Sequence, residues 1–261
     1  HYLSYFRFHN ILTQYWPNAP DDKKLLYFPV YFWWNLTTIL PLRPTEFILI
    51  PRDCLDGRFL TVRRTKLKGT RMGSEYSIEK DYEKKRYKIT EELAKEVKWY
   101  IENTEQNYDS DINVLYCKNT QFTLLDVHQK AIGHYSYANL RELLRSFYID
   151  IVNKTYDFEI LNRDSTTTLM DKQIEAITLG DTRHIAMISL IASGGNPVIC
   201  KELAGHESIN MSDHYYSNIR NFVEVLSFER YRMGFAEVER GLQNIEISNL
   251  IRVQNGYCTS P

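Results

Sequence analysis

The stretch that decides the fold lies in the C-terminal third: Asp181-Thr182-Arg183-His184, then Leu203-Ala204-Gly205-His206, then His214-Tyr215-Tyr216. Arg183 falls in the first turn of an expected helix, where unpaired N–H groups and the dipole favour an anion. His206 follows a glycine at a helix end, and Tyr215 follows on the next helix. The punctuation between them is clear. Gly194-Gly195-Asn196-Pro197 and Gly205-His206-Glu207-Ser208 break the region into three short helices. Taken singly, each feature is bland. A first-turn arginine is usually a surface residue, a histidine after glycine a cap partner, and a tyrosine pair core packing. Their order and spacing carry the information: His206 stands 23 residues after Arg183, and Tyr215 nine after His206.

Upstream, Pro41-Leu42-Arg43-Pro44-Thr45-Glu46 starts a short helix, with Pro44 suited to its first turn. Residues 23–40 read as a mostly buried helix. The apolar run Leu25–Leu42 is interrupted by Pro29, Asn35 and two threonines, so it reads as a core helix and not a membrane span. Residues 1–22 are aromatic and end in a Pro/Asn/Asp cluster; they fit the end of a linker or a first helix. Pro51 to Gly57 is a turn. Arg58–Leu67 is rich in β-formers and reads as a strand, Gly69 to Gly73 as a loop tip, and Arg86–Ile89 as the returning strand. Thr90 caps a helix that runs to about Glu105. Residues 106–134 have no regular pattern. Residues 135–155 form an amphipathic helix with Leu140, Leu143, Leu144, Phe147 and Ile151 on one face. Residues 156–178 are polar and ambiguous, and a helical tail is expected over roughly 220–252. There is no internal repeat and no low-complexity run.

Composition bounds the classes. The 261 residues carry 32 Lys+Arg against 33 Asp+Glu, a formal net charge of −1. That excludes a chain that is basic throughout, but not a basic patch offset by acid elsewhere. With 43% hydrophobic and 25% charged residues, whole-chain disorder is excluded. Cys54, Cys117, Cys200 and Cys258 lie far apart, without zinc-ligand spacing, and are too sparse for a disulfide scaffold. A reducing intracellular setting is expected. No signal peptide is visible, and the chain starts with His1, as a piece of something longer would.

Several catalytic motifs fail. There is no phosphate-cradling Gly-rich loop, no nucleophile elbow and no His-Glu-x-x-His. Ser77-Ile78-Glu79-Lys80 matches Ser-x-x-Lys but lies in a charged stretch and reads as solvated strand surface. The four ordered elements are different. Pro41-Leu42-Arg43-Pro44-Thr45-Glu46, Thr65-Lys66, Asp181–His184 with Leu203–His206, and Tyr215 together resemble the tyrosine recombinase (phage-integrase-like) family over residues 23–220. The resemblance implies an α+β, mainly α catalytic domain with a small three-stranded antiparallel sheet. It also implies a site-specific DNA recombinase, an integrase or transposase that cleaves and rejoins strands through a covalent 3′-phosphotyrosyl intermediate.

By that resemblance, Arg43 and Arg183 bind the scissile phosphate. Guanidinium forks match its non-bridging oxygens and stay charged at any working pH. Tyr215 is the nucleophile. A free phenol titrates near about 10, so a cationic site must assist loss of its proton. Lys66 is the general acid for the leaving 5′-oxygen. His206 bonds the phosphate or steadies the site, and Glu46 orients Arg43 or its helix. No metal and no cofactor is implied. Choices remain open. Tyr215 and Tyr216 point about 100° apart on a helix, so one faces the phosphate, and spacing favours Tyr215. Lys66 and Lys68 share one strand face, and Thr65 favours Lys66. The family's histidine or lysine three residues before the second arginine is Gly180 here. Its role is lost, is tolerated as lost, or passes to a neighbour, of which His184 and Asp181 are nearest.

The hairpin answers the charge problem. Arg58, Arg63, Arg64, Lys66, Lys68 and Arg71 give six basic and no acidic residues between positions 58 and 71, which leaves −7 on the other 247. A DNA-facing hairpin is expected, with contacts to phosphates. The expected organisation is a linker or the end of a missing N-terminal core-binding domain over 1–22, a catalytic domain over 23–220, and a C-terminal helical tail over 221–261. Phe222, Val225, Leu226, Phe228, Tyr231, Met233 and Phe235 make that tail apolar enough to dock on a second protomer, or on its own domain. Double-stranded DNA is the implied partner, bound as a homotetramer formed from monomers. The implied setting is the bacterial cytoplasm at the nucleoid, without membrane contact. A type IB topoisomerase-like enzyme and a non-catalytic DNA-binding module with this fold are the rivals.

Overall fold

A computed structural model describes residues 2–66, 78–104, 113–116, 135–163, 169–192 and 203, and the backbone of 251–253 and 256–258. The fold is mainly helical with a small three-stranded antiparallel sheet. Its centre is α2 (Asp21–Thr37), which buries Tyr27, Phe28, Val30, Phe32, Trp33, Trp34 and Leu36. A helix apolar on so many sides must be surrounded. Helix α1 (Tyr2–Tyr15) lays Phe8 against it, with ring centroids 4.8 Å from Trp34. Helix α5 (Glu91–Glu102) stacks Tyr100 on Phe28 at 4.0 Å. Helix α6 (Tyr137–Phe147) brings Phe147 edge-on to Tyr27 at 5.2 Å and continues as a π-helical turn over Tyr148–Asn153. Aromatic pairs of this geometry add to the area they bury. Among the described residues, the aromatic rings of α2 and those packed on it are core.

Local signals set the element ends. The Thr90 hydroxyl accepts from Leu93 N at 3.2 Å and caps α5. The Ser136 hydroxyl and Asn139 side chain form a reciprocal cap on α6. Pro44 opens α3 (Pro44–Ile48), where its missing N–H costs nothing.

The sheet has order β1-β2-β3, with β1 (Leu55–Asp56), β2 (Phe59–Thr65) and β3 (Tyr82–Lys88). The β2–β3 register runs from Phe59↔Lys88 to Thr65↔Tyr82. Leu60 and Val62 point to the core from one face. The stretch expected to be only a turn, Pro51–Gly57, supplies the third strand, and Gly57 takes the left-handed φ of +58° that lets the chain reverse into β2. The returning strand starts at Tyr82, earlier than expected, and Ile78–Asp81 before it is a short helix, α4, rather than strand. The polar stretch 156–178 contains a parallel pair, β4 (Glu159–Leu161) with β5 (Gln173–Glu175). Helix α7 (Asp181–Ala192) follows. The expected tail helix falls outside the described residues except at its end. There β6 (Ile251–Val253) pairs with β7 (Gly256–Cys258), so positions 251–252 are strand. Among the described residues no helix is long and apolar enough to cross a membrane.

Candidate functional site

Arg43 is the N-cap of α3, and Glu46 is the third residue of that helix. Glu46 is 1% exposed, so its carboxylate must find partners in the protein. It finds three. Oε2 accepts from Arg43 N at 2.8 Å, Oε1 accepts from Thr65 N at 3.0 Å, and the Arg64 Nε lies 3.4 Å from Oε1. One buried carboxylate thus joins the N-terminus of α3 to the end of β2, immediately before Lys66. Lys66 is exposed. Its backbone N–H donates to Asp81 O at 2.7 Å, and its ammonium donates to Lys80 O at 3.2 Å.

Arg183, in the first turn of α7, donates from Nη1 to the carbonyl of Pro41 at 2.7 Å. Pro41 lies two residues before Arg43, so this bond brings α7 to the corner that carries the other arginine. The N-terminus of α7 is fixed from below as well. Thr37 and Thr182, both buried, share a hydroxyl–hydroxyl bond of 2.7 Å that ties it to the end of α2. Asp181 is buried. Its carboxylate takes a two-point contact from Arg163, at 2.8 and 3.0 Å, and accepts from Thr178 N at 2.7 Å. Burial alone would lower the pKa of Arg163, but the hydrogen bonds and charge of Asp181 win and hold it above its ordinary value. His184 is exposed. Gly180 is half-buried, and a Cβ built on it meets nothing within 4 Å.

Two of the residues expected to face DNA from an open strand surface are buried instead. Arg63 and Arg64 are 9% and 4% exposed and do not lie on an open face. Arg63 Nη1 donates to Leu49 O and Asn113 O, both at 2.7 Å. Leu49 is the C-cap of α3, and the Arg63 guanidinium satisfies its carbonyl, which has no helical partner. Burial lowers the Arg63 pKa from its usual value. Arg64 faces Glu46 and also donates from Nη2 to the carbonyl of Leu203. Arg58 is exposed and donates from Nε to Ile89 O at 3.2 Å. Lys68, Arg71, His206, Tyr215 and Tyr216 lie outside the described residues.

The exposed basic residues of the sheet concentrate on β3, which the sequence reading passed over. Lys84 lies 4.0 Å from Asp53, Lys85 lies 2.9 Å from Glu83, and Arg86 lies 2.6 Å from Asp56. The run Glu83-Lys84-Lys85-Arg86-Tyr87-Lys88 was the available signal. Arg52 was also missed. Its guanidinium binds the carbonyls of Leu115, Ile101 and Thr104, and so closes the end of α5. Among the described residues no cluster of three or more His, Cys, Asp or Glu side chains could hold a metal ion.

No protein-family model matches the chain, and no curated protein matches it. Among solved structures it is similar to the Tn1549 transposon integrase (aa 82–397). In a complex of that integrase with a circular intermediate DNA, the TM-score is 0.43 at 17% identity, over 76% of this chain and 60% of that chain. In a complex with transposon right end DNA, the TM-score is 0.42 at 17% identity, over 80% and 65%. The chain thus spans about three fifths of the integrase length it matches.

Proposed function

We propose that this chain is the catalytic part of a tyrosine recombinase that cleaves and rejoins DNA at a specific site. The observation that carries the reading is the junction at α3. There Glu46 and the Pro41 carbonyl gather Arg43, the strand end before Lys66, and Arg183 from three elements distant in sequence. Arg43, Arg183 and Lys66, brought together, would suit a phosphodiester. Their positive charge would stabilise the extra negative charge of a pentacoordinate transition state, and the bonds from Arg43 N to Glu46 and from Arg183 Nη1 to the Pro41 carbonyl support that reading.

In this reading the Tyr215 oxygen attacks phosphorus and loses its proton to solvent. The bond to the 5′-oxygen breaks, and Lys66 supplies the proton that makes a 5′-hydroxyl. The Tyr215–phosphate bond preserves the linkage, so the reverse attack by a 5′-hydroxyl reseals a strand. His206 contacts the phosphate. Double-stranded DNA, a tetrameric synapse and a separate N-terminal DNA clamp belong to the same proposal. So does weak DNA binding by residues 1–261 alone.

The test is a nicked suicide duplex that traps the cleaved state. The full-length protein should form a covalent protein–DNA adduct, abolished by Tyr215→Phe and kept in Tyr216→Phe. Absence of any adduct from folded, DNA-binding protein would instead favour the non-catalytic module.

A further inference from the structure

The first turn of α7 meets the chain that leads to Arg43 at two points. Thr182 bonds Thr37 at the end of α2, and Arg183 Nη1 donates to the Pro41 carbonyl at 2.7 Å. Between these points the connector is itself braced. Leu40 N donates to Leu36 O at 2.9 Å, and Leu42 N donates to Leu40 O at 2.7 Å. Arg43 follows at once as the N-cap of α3. The two arginines are therefore set relative to each other through this connector.

The hydroxyl pair has a definite direction. Thr37 and Thr182 are 1% and 0% exposed, so both hydroxyls must be satisfied within the protein. Each carries one proton and accepts through its lone pairs. Thr37 Oγ1 lies 2.7 Å from the Trp33 carbonyl and 2.7 Å from Thr182 Oγ1. Thr182 Oγ1 lies 3.5 Å from its other acceptor, the Leu179 carbonyl. Both protons are well placed in one arrangement: Thr182 donates to Thr37, and Thr37 donates to Trp33. Packing alone does not call for this relay. Two valines would fill the same shape, and replacing both partners of a buried bond by apolar groups can be nearly neutral. What valine cannot do is hold α7 at one rotation and height on α2.

We propose that Thr37 and Thr182 are positioning residues. Their relay fixes the first turn of α7 on the end of α2, and so sets where the Arg183 guanidinium stands relative to Arg43. The effect on cleavage rests on the recombinase reading; the tie itself does not.

The test compares T37V, T182V and T37V/T182V in the full-length protein, because stability and positioning predict different orders. T37V removes the acceptor and strands the buried Thr182 hydroxyl, so its urea midpoint should fall furthest. T182V leaves Thr37 its Trp33 acceptor, and the double variant leaves no hydroxyl behind, so both should stay nearer wild type. The tie, however, is broken in all three. At saturating nicked DNA each should form adduct about 10- to 100-fold more slowly, the scale expected when a phosphate-binding group is displaced by an ångström or so. The half-saturating DNA concentration should be unchanged. T37S keeps the relay and should cleave at the wild-type rate. A T182V or double variant that cleaves as fast as wild type would overturn the proposal. Hydrogen exchange gives an activity-free readout. His184 N bonds Gly180 O at 3.4 Å, and the amides of Ile185 and Ala186 follow in the ladder of α7. All three valine variants should speed exchange at these amides, and T37S should not. Unchanged exchange there would refute the tie even in a protein that forms no adduct. Faster exchange in the variants, with no adduct from wild type, would instead refute the recombinase reading and leave the tie standing. Should T37V fold poorly, T182V and the double variant carry both measurements.

Discussion

Glu46→Gln tests the junction directly, because it alters charge and acceptor count while keeping shape. The native carboxylate is 1% exposed and serves Arg43 N at 2.8 Å, Thr65 N at 3.0 Å and Arg64 Nε at 3.4 Å. Glutamine offers one oxygen and one NH2 group. In its better orientation the oxygen keeps Thr65 and Arg64, and the NH2 group meets the Arg43 N–H donor to donor. That strips one hydrogen bond to a charged acceptor, worth about 1.5–3 kcal/mol. It also leaves the Arg64 guanidinium in the interior without its counter-charge. Together these reach about 3–5 kcal/mol, the range for removing one member of a buried pair. A domain of this kind has only about 5–15 kcal/mol in total. Urea unfolding at neutral pH should therefore show a much lower midpoint with an unchanged slope. The double variant E46Q/R64M removes the stranded charge and should recover part of the loss. A single variant within about 1 kcal/mol of wild type, or a double variant no better than the single, would refute the reasoning.

Two further substitutions probe other sites. Cys54 is 1% exposed, and burial pushes its thiol up to about 12 from 9.0. The unfolded chain then loses this proton first as pH rises, so the thiol's contribution is intact below about 9 and falls by up to about 1.4 kcal/mol per pH unit from there towards about 12. Unfolding titrations at several alkaline pH values should show wild type losing stability faster than C54A; parallel curves would contradict the burial argument. At Gly180, where an added Cβ meets open space and the backbone is not left-handed, Gly180→Ala should raise stability by about 0.4–1 kcal/mol through the unfolded state. A loss on thermal unfolding would show that glycine is required there. In the recombinase reading, Gly180→His should speed adduct formation.

What the sequence disclosed was local. Thr90 caps a helix because its hydroxyl reaches an amide three residues on, and Pro44 opens one because its ring already fixes φ. The amphipathic face at Leu140, Leu143, Leu144 and Phe147 is a matter of spacing, and all four are buried. The fates of Arg63, Arg64 and Arg183 were not local. Their acceptors are main-chain carbonyls of Leu49, Asn113, Leu203 and Pro41, from 14 to 142 positions away. Every residue has a carbonyl, so no side chain marks those partners. An arginine in a basic strand consequently reads as surface, whether it is or not. The pair β4–β5 escaped for a related reason: each strand is three residues long, too short for alternation to register.

In the recombinase reading, burial of Arg63 and Arg64 also changes where DNA would be held. The hairpin's six basic residues no longer act as one patch, since two of them are committed to internal acceptors. Exposed positive charge remains at Arg58 and Lys66 and along β3 at Lys84, Lys85, Arg86 and Lys88. Lys84, Lys85 and Arg86 have acidic partners, but the side chains in those pairs are 45–80% exposed. Such pairs contribute about 0–1 kcal/mol each, so a phosphate can displace the acid at little cost. Arg43 and Arg183 sit differently: the backbone of one is held by buried Glu46, and the guanidinium of the other is held by a carbonyl. In the recombinase reading the two groups of cations would serve two tasks. Exchangeable surface pairs can follow a DNA backbone and respond to salt. Stabilising a transition state instead requires charges fixed beforehand, so that none of the gain is spent on reorganisation.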